Sequence, residues 1–247
     1  MVRVAWDVDG EGARTGVLVV TLDRPERRNA VDHATLLSLL DAQTAAADAR
    51  ALVLTGAPPA FCAGADLTGV EEGEFARALS RVLRGFTALP IPTVAAVDGP
   101  ALGAGTQLVV ACDLRVATPA SRFGVPAARL GLVVDHWTVE RLARELTWPV
   151  ARAMLLGAET YDAEALHRIG ALQRLGSLDD AVAWARQLAV LAPLTIAAHK
   201  LALERSAPDP VPDGDVDAAR AAAWASADAT EGRTAFLEKR PARFQGR

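Results

Sequence analysis

A chain of 247 residues, 51% hydrophobic and 23% charged, can fill one or two packed domains of about 150 residues each, which excludes global disorder. Its 26 basic and 30 acidic residues leave a formal charge of −4, which excludes bulk electrostatic attraction to nucleic acid. All but two of the bases are arginine, the lysines being Lys200 and Lys239. Cys62 and Cys112 are too few for a disulfide framework or a four-thiolate zinc site. The opening MVRVAWDVDG lacks the basic-then-apolar order of a secretory signal. No run reaches the roughly 18 apolar residues of a membrane span. A soluble, cytoplasmic protein with reduced thiols is expected.

In chain order, residues 2–8 and 17–22 are β-branched runs around the turn Asp9-Gly10-Glu11-Gly12 and predict a hairpin. A charged loop, DRPERRN (23–29), follows. Asp32 then precedes Leu36, Leu37, Leu39 and Leu40, which predicts an amphipathic helix with an aspartate N-cap. Short buried strands are predicted over 51–55, 93–97 and 114–117, with helices over 72–89 and 103–111 between them. Strands alternating with helices argue for βα units and a parallel or mixed sheet. Beyond residue 136 the pattern is helical, over 137–146, 149–156, 163–169, 178–191, 193–205 and 216–239. The last is broken near Ser226, one short strand is expected within 171–175, and the Pro/Asp-rich stretch 206–215 is expected to be a mobile loop.

The chain contains no GxSxG, HExxH, CxxC or GxxxxGK[ST] pattern. Gly103-Ala104-Gly105 is a GxG, but Leu108 stands where a dinucleotide fingerprint needs its third glycine. Two loops of small residues remain, AFCAGADL (60–67) and VDGPALGAG (97–105), each after a strand and before a helix. Both could be tight turns that need small residues for packing. Both could equally expose unpaired backbone N–H groups, and two such donors converging on one carbonyl oxygen make an oxyanion hole.

The runs FCAGADL, VDGPALGAGTQLVVACDLRVA, FGVPAARLGLV and FLEKRPARFQG keep the order and spacing of the enoyl-CoA hydratase/isomerase (crotonase) superfamily, which the chain resembles from about Leu22 to its C-terminus. The resemblance implies an α/β fold, a crotonase-like spiral of ββα units with a helical C-terminal trimerisation region. On that basis residues 1–190 form the core with an acyl-CoA site, and 191–247 pack on the core and a neighbouring subunit. It implies a homotrimer or a dimer of trimers. The ligand is a coenzyme A thioester, and no further cofactor or metal is implied. By the same resemblance, the N–H groups of Ala65 and Ala104 bind the thioester oxygen. Arg24, Arg27 and Arg28, the loop residues Ala63, Asp66 and Leu67, and the C-terminal Phe236 and Lys239 contact coenzyme A. His136 and Trp137 line the acyl pocket.

The departures bear on activity. Hydratases of this family use two glutamates, and those positions here hold Gln107 and Ala127. Hydration needs one group to activate water and another to protonate the α-carbon, each typically worth about 10²–10⁴ in rate. Neither an amide nor a methyl group can do this. Asp135 matches a position at which some relatives carry a catalytic aspartate; it is equally suited to cap the helix beginning at His136. The stretch resembles an actinobacterial subgroup with a glutamate-less site. Two functions follow: an acyl-CoA-binding protein that serves a partner in fatty-acid or complex-lipid synthesis, or an active hydratase/isomerase with Asp135 as proton carrier. Cys62 and Cys112 read as small apolar fillers, and Asp66 as a local cap.

Overall fold

The computed structural model describes residues 1–66, 68, 72–206, 221 and 224–243. Leu67 and the expected loop from 207 onward lie outside the described residues. The chain divides into two compact units, Met1–Phe123 with Tyr161–Pro208 and Gly124–Thr160 with Asp209–Arg247. These limits do not follow a single cut at residue 190.

In the first unit the hairpin forms as its β-branched runs predict. Strands β1 (Val2–Val8) and β2 (Arg14–Leu22) pair antiparallel, Val4 opposite Val20. β2 then pairs in parallel with β3 (Ala51–Gly56), which pairs with β4 (Thr93–Val97). β6 (Leu114–Ala117) and the two-residue β9 (Arg174–Leu175) complete a sheet of order β1-β2-β3-β4-β6-β9. Ala51 to Thr55 are buried without alternation. A parallel strand covered on both faces requires this, which is why the segment reads as one apolar run.

A second sheet, β5-β7-β8, is built from β5 (Pro100–Leu102), β7 (Arg122–Gly124) and β8 (Thr160–Asp162). β4 is followed within a few residues by β5, and β6 by β7, so these two strands of the large sheet each hand over to one of the small sheet. That is the expected ββα repeat. The helix-only reading beyond residue 136 is corrected by β8, because strands of three residues carry no measurable period.

Helix α1 (His33–Ala45) starts where its cap dictates: the Asp32 carboxylate accepts the Thr35 N–H at 2.8 Å. Helices α2 (Glu72–Ala88) and α3 (Ala104–Ala111) follow, with every residue of α3 buried. In the second unit, α4 (His136–Leu146) and α5 (Trp148–Leu156) follow a 3-10 turn over Pro126–Leu130. Next in the chain are α6 (Ala163–Arg168), α7 (Leu178–Ala189) and α8 (Pro193–Ser206), which belong to the first unit. α9 (Ala227–Leu237) begins at its Ser226 cap, where the sequence predicted a break, and belongs to the second unit.

One face of the large sheet is covered by α7. Ala181, Ala185 and Ala189, one turn apart, lie against Val17, Val53, Val94 and Val116. Methyl-sized side chains let the helix sit close to the strands, and β-branched residues fill the pleat beneath them. Arg186 on the same helix grips Asp7 of β1 through two bonds of 2.7 Å. Among the described residues no single helix is long and apolar enough to cross a membrane.

Candidate functional site

The two small-residue loops meet. Cys62 N–H donates to the Pro100 carbonyl (3.1 Å), and Leu102 N–H donates to the Cys62 carbonyl (2.9 Å). These bonds form a parallel bridge between the first loop and β5. Gly103 has φ +53°, ψ −116°, a conformation suited to a residue without a Cβ. A Cβ on Gly105 would stand 2.3 Å from the Cys62 carbonyl oxygen. Glycine there lets the first turn of α3 touch the first loop. A Cβ at Gly103 would lie 3.7 Å from the Gly64 Cα, so the residues immediately before Ala104 and Ala65 are neighbours.

Backbone geometry leaves the N–H groups of Ala65 and Ala104 unused. Val31 and Ala65 form an isolated parallel bridge, in which Val31 N–H donates to Gly64 O (2.9 Å) and Asp66 N–H to Val31 O (2.8 Å). In that arrangement the bonds flank Ala65, and its own N–H faces away from Val31. Ala104 is the first residue of α3, where an N–H has no intrahelical acceptor, and the preceding Gly103 supplies no side-chain cap. Among the described residues neither N–H has a hydrogen-bond acceptor. The positive end of the α3 dipole adds to the attraction for an oxygen carrying negative charge. Gln107 lies three residues after Ala104, about one helical turn along, and is 7% exposed.

The first loop is held from behind by the charged loop. Arg24 extends its guanidinium to the Ala30 carbonyl (Nη1, 2.6 Å) and to the carboxylates of Asp66 (3.1 Å) and Asp32 (3.2 Å). It is therefore engaged inside the protein. Arg27 and Arg28 are exposed, and no ion pair to either occurs among the described residues. Ala63 is fixed through its N–H, which donates to the Arg28 carbonyl at 3.0 Å. The sequence reading missed Asn29. Its amide is 1% exposed and bonds the carbonyls of Ala57 (2.7 Å) and Ala60 (2.6 Å), while its oxygen accepts the Arg24 N–H (2.9 Å). The available signal was an asparagine in a tight loop, where φ is left-handed at +57°.

Burial pushes the Asp66 carboxyl up, but bonds from Thr68 and Arg24 outweigh it and hold the group below the usual carboxylate range. It is therefore ionised at neutral pH and is no proton donor. A depressed carboxylate stabilises the fold above its unfolded-state value and loses that contribution as pH falls through the folded one. Acidification through and below the ordinary carboxylate range is expected to lower the urea midpoint less in Asp66→Asn than in the parent protein. Equal slopes for the two proteins in urea titrations would contradict this. Burial pushes the Cys62 thiol up to about 12, and the Cys112 thiol likewise to about 12. Both are neutral fillers, as expected.

Within the second unit, Asp135 is the N-cap of α4, its carboxylate accepting the Thr138 N–H at 3.0 Å. His136 lies 3.5 Å from Glu140 one turn on, and Trp137 is 7% exposed. Ala127 sits in the 3-10 turn, its carbonyl accepting the Gly131 and Leu132 N–H groups. Phe236, 58% exposed, lies in the last turn of α9, and its carbonyl accepts the N–H of Lys239 (3.2 Å), whose backbone is left-handed at φ +54°. Arg240 then clamps Glu231 with bonds of 2.6 and 2.8 Å, which fixes the chain just after Lys239.

Comparison with known proteins bears on the whole chain. A family model described as enoyl-CoA hydratase/isomerase matches residues 12–247. A Mycobacterium tuberculosis protein named probable enoyl-CoA hydratase echA6 is 42% identical over 240 residues, covering 93% of this chain and 96% of its own. The 2,3-dehydroadipyl-CoA hydratase of Escherichia coli is 34% identical over 244 residues, covering 94% and 96%. The crystal structure of carnitinyl-CoA hydratase from Mycobacterium avium superposes with a TM-score of 0.85 at 30% identity, over 100% of this chain and 98% of that one. The ββα order, the paired small-residue loops and these matches agree, and the chain belongs to the enoyl-CoA hydratase/isomerase family, the crotonase superfamily.

Proposed function

We propose that this protein binds fatty acyl-CoA thioesters and serves lipid metabolism with little or no hydratase activity of its own. The observation that carries the reading is the pair of unused backbone donors, Ala65 and Ala104 N–H, on two loops bonded to each other. An oxygen held between them gains enolate character, and each such donor is worth roughly 2.7–4 kcal/mol where charge develops. Arg27 and Arg28 meet the phosphates of coenzyme A, with Arg24 bracing their loop. Ala63, Asp66 and Leu67 belong to the coenzyme A site, His136 and Trp137 contact the acyl chain, and Phe236 and Lys239 reach the coenzyme A site of a neighbouring subunit in a trimer or a dimer of trimers. Gln107 and Ala127 stand where the family's hydratases carry glutamates, so no pair of groups remains to add water.

A second reading keeps turnover, with Asp135 as proton carrier; the hydratase names of the relatives favour it. Both are tested with purified protein and trans-2-enoyl-CoAs of short, medium and long chain. Calorimetry should record binding, and the enoyl absorbance should persist. Turnover at ordinary enzyme rates, abolished in Asp135→Asn with binding intact, would replace the first reading by the second.

A further inference from the structure

Asn29 is buried beside the paired loops, and its side-chain amide uses both its nitrogen and its oxygen in hydrogen bonds. Both of its amide donor bonds end on carbonyls of the segment that leads into the first loop, Ala57 (2.7 Å) and Ala60 (2.6 Å). Its oxygen takes the Arg24 N–H (2.9 Å). From there the charged loop continues along the same segment. The Arg28 carbonyl accepts Ala63 N–H, Val31 N–H reaches Gly64 O, Val31 O accepts Asp66 N–H, and the Arg24 guanidinium closes on Asp66. The first loop is thus stitched at residues 60, 63, 64 and 66, on both sides of Ala65, whose own N–H takes no part in the stitching.

The side chain is suited to this task for reasons of conformation and valence. Residue 29 is left-handed (φ +57°) directly after a left-handed Arg28 (φ +49°). Asparagine tolerates that region better than other residues with a Cβ, apart from aspartate. Aspartate would point a carboxylate at two carbonyl oxygens, and glycine would fit the backbone but leave both carbonyls unpaired in a buried place. An amide alone supplies two donors and an acceptor at once.

The geometry points to Asn29 as a positioning residue: its amide fixes the direction of the Ala65 N–H, and ties it to the loop bearing the exposed Arg27 and Arg28. The inference rests on the proposed polarisation of a thioester by Ala65 and Ala104. It requires that the exposed arginine loop and the thioester donor move as one body, so the loop cannot relax without turning the donor.

The test uses the full-length protein at saturating cinnamoyl-CoA, whose conjugated thioester absorbs further to the red as its carbonyl is polarised. The parent protein is expected to red-shift the bound ligand. In Asn29→Gly and Asn29→Asp the shift at saturation should fall by about half or more, the scale expected when one of two donors is misdirected. Saturation removes any effect of weakened affinity, so a merely structural role would leave the shift intact. A folded, saturated Asn29→Gly with the full shift overturns the inference. Should neither variant fold, Arg24→Gln cuts the same stitching at Asp66 and Ala30, and a full shift there overturns it equally. A parent protein that binds with no shift overturns the thioester reading itself, and this inference falls with it.

Discussion

Replacing Lys200 with methionine is expected to lower the unfolding free energy by about 3 kcal/mol, the cost of removing one partner from a buried ion pair. Lys200, 7% exposed in α8, donates to Asp113 at 2.7 Å and to the carbonyls of Phe86 and Ile91 at 3.0 Å each. The first carbonyl lies in the last turn of α2, the second in the turn before β4, and Asp113 precedes β6. Asp113 also accepts the N–H and hydroxyl of Thr93, both at 2.8 Å. One ammonium therefore ties α8, α2, β4 and β6 together. Methionine fills much of the stem's volume but abandons a carboxylate and two carbonyls. The figure stands at the lower end of the usual range because the Asp113 side chain is 20% exposed and water can reach it. Urea denaturation of Lys200→Met and of Lys200→Met/Asp113→Asn provides the check, the double variant regaining part of the loss because the orphaned charge is gone. A single variant within about 0.5 kcal/mol of the parent would show that the pair contributes only as a surface pair does.

The largest expected change in activity concerns Gln107 and Ala127, which on the proposed reading occupy the positions of the family's two glutamates. Gln107→Glu alone should alter enoyl-CoA hydration by less than about tenfold, because an acid and a base that act as a unit are not additive. Gln107→Glu combined with Ala127→Glu should raise it by at least about 10², the lower bound for a working general acid or base. Loss of enoyl absorbance, followed for both variants alongside the parent protein, decides the matter. A large gain from Gln107→Glu by itself would mean that the second glutamate's position has been misassigned.

How far the amino-acid sequence reveals this molecule depends on the range of the interactions involved. The 2–22 hairpin, the Asp32 cap and the Ser226 break are local, and turn residues, caps and apolar runs announce them. The buried run 51–55 is legible because a strand covered on both faces leaves no polar position. β5, β7 and β8 escape because each is three residues long and its partners lie far off in the chain. Ala65 and Ala104 were legible only through the family resemblance. That the Ala65 N–H is unused follows from the bridge to Val31, 34 positions earlier, which no local pattern encodes. Asn29 and Lys200 were passed over for the same reason. Their acceptors are assembled by the fold, and a single polar residue carries no period.

The two unused donors belong to the main chain, and both happen to sit on alanines. Systematic alanine replacement, the usual way of ranking residues by function, would therefore record nothing at either position. The side chains of residues 65 and 104 are free to drift so long as the chain's direction is kept, so on the proposed reading the means of gripping an acyl group outlasts a change in the hydrating groups. Chemistry that edits the peptide link itself, such as an amide-to-ester exchange at residue 65 or 104, is what would expose the contribution of these atoms.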